Sequence, residues 1–309
     1  MVEMNLGQEI KRYESMGYRI VGKYKHSAVK PCLWCKKALK NEGFCYKHKF
    51  YGIESHRCVQ MTPALFWCTH RCLFCWRNVD ATLAPSMEGV ALDDPATIVD
   101  ACIEAHKELL QGYKGNPKVS KVRFEEAMRP RHMTLSLAGE PTLYPKVGEL
   151  IEEILSRKMT CFLVTNGTRP DVLAKIHEPT QLYITLPAPN EEVYRRTCRP
   201  LLADGWKRLN QSLELLSSFS CNTVIRLTLV KELNMVNAEE YGKLVARYEP
   251  RYVEVKSFMS VGFARNRLPY ESMPLHEEIK EFALKIAEAC GYVVRDEQEE
   301  SRVVLLSKR

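Results

Sequence analysis

No stretch of the 309 residues approaches the ~20 consecutive apolar residues needed to cross a bilayer, which excludes an ordinary helical membrane protein. The start, Met-Val-Glu-Met-Asn-Leu-Gly-Gln-Glu-Ile-Lys, carries an early acid and no apolar core, so no signal peptide is expected. Internal repeats and low-complexity tracts are also missing, which leaves domain boundaries soft. Neither charge nor apolar content is extreme: 27% charged and 45% hydrophobic residues describe an ordinary soluble chain, long enough to bury a full core. Length alone allows one to three domains. What is abundant is cysteine. Twelve thiols without a secretion signal point to a reducing cytoplasm, where cysteines serve metals or cores.

Three of them lie in the run Trp67-Cys-Thr-His-Arg-Cys-Leu-Phe-Cys-Trp76, a C-x3-C-x2-C loop formed by Cys68, Cys72 and Cys75, with Phe74 just before the last thiol. Zinc sites normally take four ligands, usually as two C-x2-C pairs, and disulfide frameworks belong to short secreted chains. Three thiolates on one tight loop instead suit three irons of a [4Fe-4S] cube, leaving the fourth iron open for a ligand. An open iron of this kind is the signature of radical S-adenosylmethionine (SAM) enzymes. There the cofactors carry the chemistry, and the protein supplies binding and orientation.

The net charge of +7 is unevenly placed. Residues 1–60 hold twelve Lys and Arg against five Asp and Glu, so the whole surplus resides there. The basic residues are interleaved with Tyr13, Tyr18, Tyr24, Trp34, Phe44, Tyr46, Phe50 and Tyr51. Cations for phosphates and flat rings for unstacked bases make an RNA-facing surface; charge alone favours a solvated face instead.

After the cysteine loop, strand and helix patterns alternate. Residues 61–67 read as a strand entering the loop, followed by apolar runs at 133–138, 160–164, 182–186, 223–230 and 252–255. Helical segments fall at 145–157, 170–176, 205–217 and 238–248; a further helix begins at Pro95, with Asp93 or Asp94 as cap and Ile98, Cys102, Ala105 and Leu109 on one face. A helix at 276–289 and a strand at 303–306 end the chain. Six strands alternating with helices predict an α/β fold, a partial (βα)6 radical SAM barrel at 61–309, preceded by a cysteine-rich basic extension at 1–60.

In such a barrel the chemistry belongs at the strand C-terminal ends. Gly139 and Glu140 follow one strand, where glycine lets backbone approach a ligand and a carboxylate accepts from an ammonium group. Thr165 and Asn166 follow the next, in a Thr-Asn-Gly run that is by itself also a common turn. Their succession behind the cysteine loop predicts SAM contacts. Thr185 and Arg226, near later strand ends, are candidates for the methionine carboxylate or ribose, with an ordinary satisfied polar role as the alternative. Cys102, Cys161, Cys198, Cys221 and Cys290 read as packing residues.

Beyond these features, the cluster run with Trp76-Arg-Asn78, residues 135–145, Leu163-Val-Thr-Asn-Gly-Thr168, Gln181-Leu-Tyr183, Arg226-Leu-Thr-Leu-Val-Lys231 with Asn234, and Val253-Glu-Val-Lys-Ser-Phe-Met-Ser-Val-Gly262 with Arg265-Asn-Arg-Leu268 resemble the archaeal tRNA 4-demethylwyosine synthases over nearly the whole chain. The resemblance implies condensation of N1-methylguanosine-37 of tRNA-Phe with pyruvate to a tricyclic imidazopurine. Because eukaryotic relatives carry an added flavodoxin-like domain, it also implies an external one-electron donor such as flavodoxin or ferredoxin. The family's second [4Fe-4S] cluster maps onto Cys32, Cys45 and Cys58, each separated by twelve residues; a zinc site of Cys32, Cys35, Cys45 and Cys58 is the structural alternative. A lysine that joins pyruvate as an imine is expected at Lys47, two residues after Cys45, with Lys256 as competitor. A radical SAM enzyme for a peptide or small molecule, and a non-catalytic iron-sulfur RNA-binding module, are the other classes open to this sequence.

Overall fold

The computed structural model describes residues 6–309. The chain forms two compact units, one holding the chain up to Cys68 together with Ser86–Leu163, the other holding Thr69–Pro85 and Val164–Arg309. Both are mixed α/β with parallel strands at the centre.

The first unit opens with the helix Leu6–Ser15 and a short antiparallel hairpin of β1 (Arg19–Val21) and β2 (Ser27–Val29). Strand β2 pairs antiparallel with β3 (Cys58–Thr62), which runs parallel to β4 (His132–Leu135), itself parallel to β5 (Thr160–Thr165). The chain passes into the second unit after Leu163 of β5. Val59, Met61, Met133, Leu135, Cys161 and Leu163 are all fully buried on these strands. The strand expected at 61–67 therefore starts earlier and stops at Thr62, because Pro63 has no amide to extend a ladder. The division expected after residue 60 falls inside β3, since the N-terminal hairpin adds its strands to the same sheet.

Helix Pro95–Gln111 begins as its proline predicts and buries Ile98, Cys102 and Ala105. Asp94 occupies the cap position without a side-chain cap bond. The carboxylate of Asp93 is engaged elsewhere, accepting from the amides of Lys23 and Tyr24 at 2.8 and 3.1 Å. Gly22 makes this approach possible: at φ +80° a Cβ there would lie 2.2 Å from an Asp93 carboxylate oxygen. The neighbouring His26 bonds the Pro63 carbonyl through Nδ1 and accepts the Asp93 amide at Nε2. Burial holds its pKa below the ordinary value, in keeping with a neutral ring.

In the second unit β6 (Gln181–Thr185), β7 (Asn222–Leu229) and β8 (Tyr252–Ser257) are parallel. Strand β9 (Val293–Gln298) and β10 (Val303–Ser307) follow, β10 pairing antiparallel with both β8 and β9. The helices Ala238–Tyr248 and His276–Cys290 pack closely at Gly242, where a Cβ would come within 2.4 Å of the Ala289 Cβ. The six parallel strands, three per unit, match the number read from the sequence. Strand β9 carries no such signal: Val-Val-Arg-Asp-Glu-Gln is too polar to stand out, and every one of its residues is at least partly exposed.

Replacing Asp93 by alanine removes the acceptor of two hairpin amides beside a buried histidine. The expected cost is about 1–3 kcal/mol. It is read as a lowered urea midpoint by circular dichroism at unchanged slope; an unaltered midpoint would show that Asp93 does not anchor the hairpin.

Candidate active site

The cysteine loop has no regular structure of its own, so its backbone groups must find partners elsewhere. Cys68 ends the N-terminal segment of the first unit, and Cys72 and Cys75 lie in the second unit. Within the second unit, the amides of Arg71 and Leu73 donate to the carbonyls of Cys198 and Thr197, each at 3.0 Å. These carbonyls belong to the last turn of helix Glu191–Cys198, where helices leave acceptors without intrahelical donors. Leu201 N donates to Thr69 O at 2.8 Å, and His70 Nε2 meets the Tyr194 hydroxyl at 2.6 Å. Leu73 and Phe74 pack on the cluster of Val230, Leu233, Phe258, Ala264 and Met273.

Asn166 acts on this loop. Its Nδ2 donates to Thr69 Oγ1 at 2.8 Å, while its Oδ1 accepts from the amide and hydroxyl of Thr168. Thr165 Oγ1 accepts the Gly167 amide, and Gly167 itself, at φ +73°, leaves no room for a side chain against Leu209 and Ile184. The Thr-Asn-Gly run is thus both a turn and a brace for the cysteine loop.

Cys72 and Cys75 are partly exposed. A hydrogen bond with Cys198, then burial, raises the Cys72 pKa well above its ordinary value, and burial raises that of Cys75; Arg77 opposes both shifts. Among the described residues, His70, Cys72 and Cys198 form the one trio of His, Cys or carboxylate ligand atoms within 4.8 Å of one another. Cys198 is fully buried, as a packing residue would be, but it faces a proposed ligand thiol, which its spacing alone did not reveal.

Further along the same unit, Thr185, Arg226 and Glu254 stand side by side in register across β6, β7 and β8 and so share one face. Arg226 Nε donates to Glu254 at 2.9 Å and the guanidinium lies 4.4 Å from the Tyr183 ring centroid. Glu254 is completely buried. Arg226 is therefore engaged by a carboxylate and a ring. Glu254 was not singled out from the sequence, though the alternation Val253-Glu-Val-Lys marks it. On the same face Lys256 donates Nζ to Ser301 O at 2.8 Å.

In the first unit Gly139 has φ +69°, and a Cβ there would sit 1.8 Å from the Ala64 carbonyl oxygen, so only glycine fits. Glu140 is almost fully buried; its amide donates to Trp67 O at 2.8 Å, and one carboxylate oxygen accepts from the amide and hydroxyl of Thr142. The backbone before the cysteine run and the Gly139-Glu140 turn are thereby joined.

The upstream thiols start elements. Cys32 caps helix Leu33–Leu39, its Sγ accepting from the Cys35 amide at 3.3 Å; Cys45 precedes helix Tyr46–Tyr51, and Cys58 opens β3. These three are partly exposed. Cys35 is fully buried against Leu39, Leu110, Phe124 and Ala127, and burial pushes its thiol pKa well up. Burial raises Cys58 to about 12, partly opposed by the charge of Lys47, which acts on Cys32 as well. Lys47 is itself 9% exposed, with Nζ 5.1 Å from the Phe162 ring centroid. On the basic surface, Lys30 lies over Tyr18 and Lys37 over Trp34, while Lys40 pairs with Glu42. Among the described residues no helix is long and apolar enough to cross a membrane.

The family model described as Radical SAM superfamily matches residues 63–245, and that described as Wyosine base formation matches residues 247–308. The S-adenosyl-L-methionine-dependent tRNA 4-demethylwyosine synthase of Pyrococcus abyssi is 48% identical over 98% of this chain and 90% of its own length. The protein of the same description from Oryza sativa is 41% identical over 96% of this chain but 45% of its own length. A solved structure of TYW1 with a lysine-pyruvate adduct bound, 36% identical, superposes with a TM-score of 0.86 over 100% of this chain and 97% of that one. The radical SAM match implies one [4Fe-4S] cluster and SAM, for which the thiol triplet is a fitting donor set. From this agreement over the full length, the chain belongs to the S-adenosyl-L-methionine-dependent tRNA 4-demethylwyosine synthases, a family of radical SAM enzymes.

Proposed function

We propose that the enzyme condenses N1-methylguanosine-37 of tRNA-Phe with pyruvate to 4-demethylwyosine, in a reducing cytoplasm and with an external one-electron donor such as flavodoxin or ferredoxin. The observation that carries this reading is Lys47, a nearly buried amine whose charge acts on Cys32 and Cys58 within one cysteine-rich segment. The lysine-pyruvate adduct of the solved TYW1 supports a lysine of this kind.

Cys68, Cys72 and Cys75 would hold the first cluster, which when bound would supply the electron for SAM cleavage and so the radical chemistry directed at the N1-methyl group. Gly139, Glu140, Thr165, Asn166, Thr185 and Arg226 bind and orient SAM: Glu140 toward its ammonium, Arg226 toward its carboxylate or ribose. Cys32, Cys45 and Cys58 hold a second [4Fe-4S] cluster, which supplies an open Lewis-acid site suited to a carboxylate and its neighbouring carbonyl. Two observations favour this over zinc. Cys35 is fully buried, whereas Cys32, Cys45 and Cys58 are partly exposed. Among the described residues no three of the four upstream thiols lie within 4.8 Å of one another, whereas zinc-sulfur bonds of about 2.3 Å in a tetrahedron need sulfurs about 3.8 Å apart.

Lys47, once deprotonated, adds to the pyruvate carbonyl carbon and expels water as the imine forms, fixing that carbon for attack by the methylene radical. Lys256, held by the Ser301 carbonyl, is the less favoured amine. The bond to the pyruvate carboxyl carbon breaks and that carbon leaves as a one-carbon unit, and the guanine 2-amino nitrogen then displaces the Lys47 amine from the imine carbon as the ring closes. Basic residues of the N-terminal segment take tRNA phosphates, and the exposed ring of Tyr24 is available to an unstacked base, whereas Tyr13, Tyr18 and Tyr46, expected on the same surface, are buried in packing and cannot stack on RNA.

Anaerobic reconstitution should load about eight irons per chain and little zinc; about four irons with one zinc would exclude the second cluster. Cys45→Ala should still cleave SAM to 5'-deoxyadenosine but make no tricyclic base, whereas Cys72→Ala should do neither. Hydride reduction during turnover should trap pyruvate on Lys47, as found by peptide mass analysis; a label at Lys256 would overturn the assignment. Binding of tRNA should weaken steeply with salt, and neutralising Lys36, Lys37 and Lys40 should reduce the slope by about 0.7–0.9 for every phosphate that these lysines neutralise. A slope unchanged by these substitutions would move the footprint elsewhere, to Arg195, Arg196 and Arg199.

A further inference from the structure

The segment matched as Wyosine base formation reaches the cysteine loop with three residues. Gly262, at φ +56°, passes so close that a Cβ would lie 2.4 Å from the Trp76 carbonyl oxygen, and the Phe263 amide donates to that same oxygen at 3.0 Å. Arg267 follows. Its Nε donates to Leu73 O at 3.1 Å, and its Nη2 bonds Cys75 O and, at 3.5 Å, Arg77 O. A second guanidinium supports the loop from within: Arg77, 1% exposed, donates to His70 O at 3.1 Å and Thr82 Oγ1 at 2.8 Å, with Asn78 O at 3.4 Å. Two fixed positive charges thus straddle the stretch between His70 and Asn78 that bears Cys72 and Cys75. All these acceptors are neutral carbonyls or a hydroxyl. Asp80, exposed to solvent, is the acid that acts on Arg267 through space.

A loop needs only hydrogen bonds to keep its shape, and neutral side chains supply them. Permanent charge placed there does something more. A [4Fe-4S] core of charge +2 with three thiolates carries −1, and its one-electron reduction makes it −2. Adjacent cations favour the more negative state, and net charge with hydrogen bonding is among the terms that set such potentials. Arginine stays charged even when partly buried, where the lower effective dielectric strengthens its action.

We propose that Arg267 and Arg77 are positioning residues that hold the Cys72–Cys75 loop in its ligating shape and raise the reduction potential of the cluster it carries. The inference rests on the assignment of that cluster to Cys68, Cys72 and Cys75. It also gives the wyosine-forming segment a task in electron transfer to SAM, separate from any contact with RNA.

The test uses the full chain with Cys32, Cys45 and Cys58 replaced by alanine, reconstituted anaerobically, so that one cluster is measured. Iron content and a reductive titration followed by electron paramagnetic resonance are recorded for this parent and for added Arg267→Gln, Arg267→Lys and Asp80→Asn. The glutamine keeps an amide donor and removes the charge. It should retain iron while the reduced-to-oxidised ratio at fixed poise falls about tenfold, equivalent to 59 mV for a one-electron couple. Arg267→Lys should restore most of that ratio, and Asp80→Asn, which leaves the loop untouched, should shift it in the opposite direction by a smaller amount. Iron loss shared by both Arg267 variants, with Asp80→Asn and the loaded remainder titrating as the parent does, would reduce Arg267 to a structural clamp and overturn the electrostatic role. So would full iron with unchanged potentials. Adding Cys72→Ala to the parent separates failures: if the signal survives, the ligand assignment falls rather than the role of the arginines.

Discussion

An irregular loop that must carry thiols to a metal cannot satisfy its own backbone, and the second unit is organised around meeting that need. The loop amides of Arg71 and Leu73 use carbonyls at the end of helix Glu191–Cys198, while its own carbonyls at Leu73, Cys75 and Trp76 take donors from Arg267 and Phe263. Its apolar residues, Leu73 and Phe74, fill a cluster built from the ends of β7 and β8 and the segment beyond. Buried backbone groups left unpaired would cost about 1–3 kcal/mol each, a large share of a marginal stability. The thiols are therefore held ready by segments distant in sequence.

The same economy governs the sheet face. Thr185, Arg226 and Glu254 share one row because parallel strands in register align them, and the alternating residues Ile225, Leu227, Val253 and Val255 are buried on the opposite side. A completely buried carboxylate is tolerable only when paired, and Arg226 supplies that charge while stacked on Tyr183. In the first unit, Lys47 is nearly buried, which distinguishes it from Lys36 and Lys37; the charge of Lys36 also acts on Cys32.

Much of this was legible in the chain itself. The C-x3-C-x2-C run, the six apolar strand runs and the Gly-Glu and Thr-Asn-Gly turns are local patterns, since periodicity and turn chemistry are set by neighbouring residues. Glycines 139 and 167 were readable for the same reason: each occupies a left-handed backbone conformation with no space for a Cβ. Strands β1, β2 and β9 were not legible, because three residues or a polar edge give no periodic signal.

The sequence by itself determined the spacing of the thiols in the C-x3-C-x2-C run and the order of the parallel strands, because both depend on residue type and short-range spacing. Only the tertiary structure decided which similar residues differ in fate. Cys35 became fully buried in an apolar cluster while Cys32, at the edge of the same cluster, became a part-exposed helix cap; Cys198 came to face Cys72; Arg226 found Glu254; and Arg267 reached back across the chain to carbonyls about 190 residues earlier. These outcomes depend on burial and on partners brought together by folding, and neither quantity is carried by a residue or its neighbours in sequence.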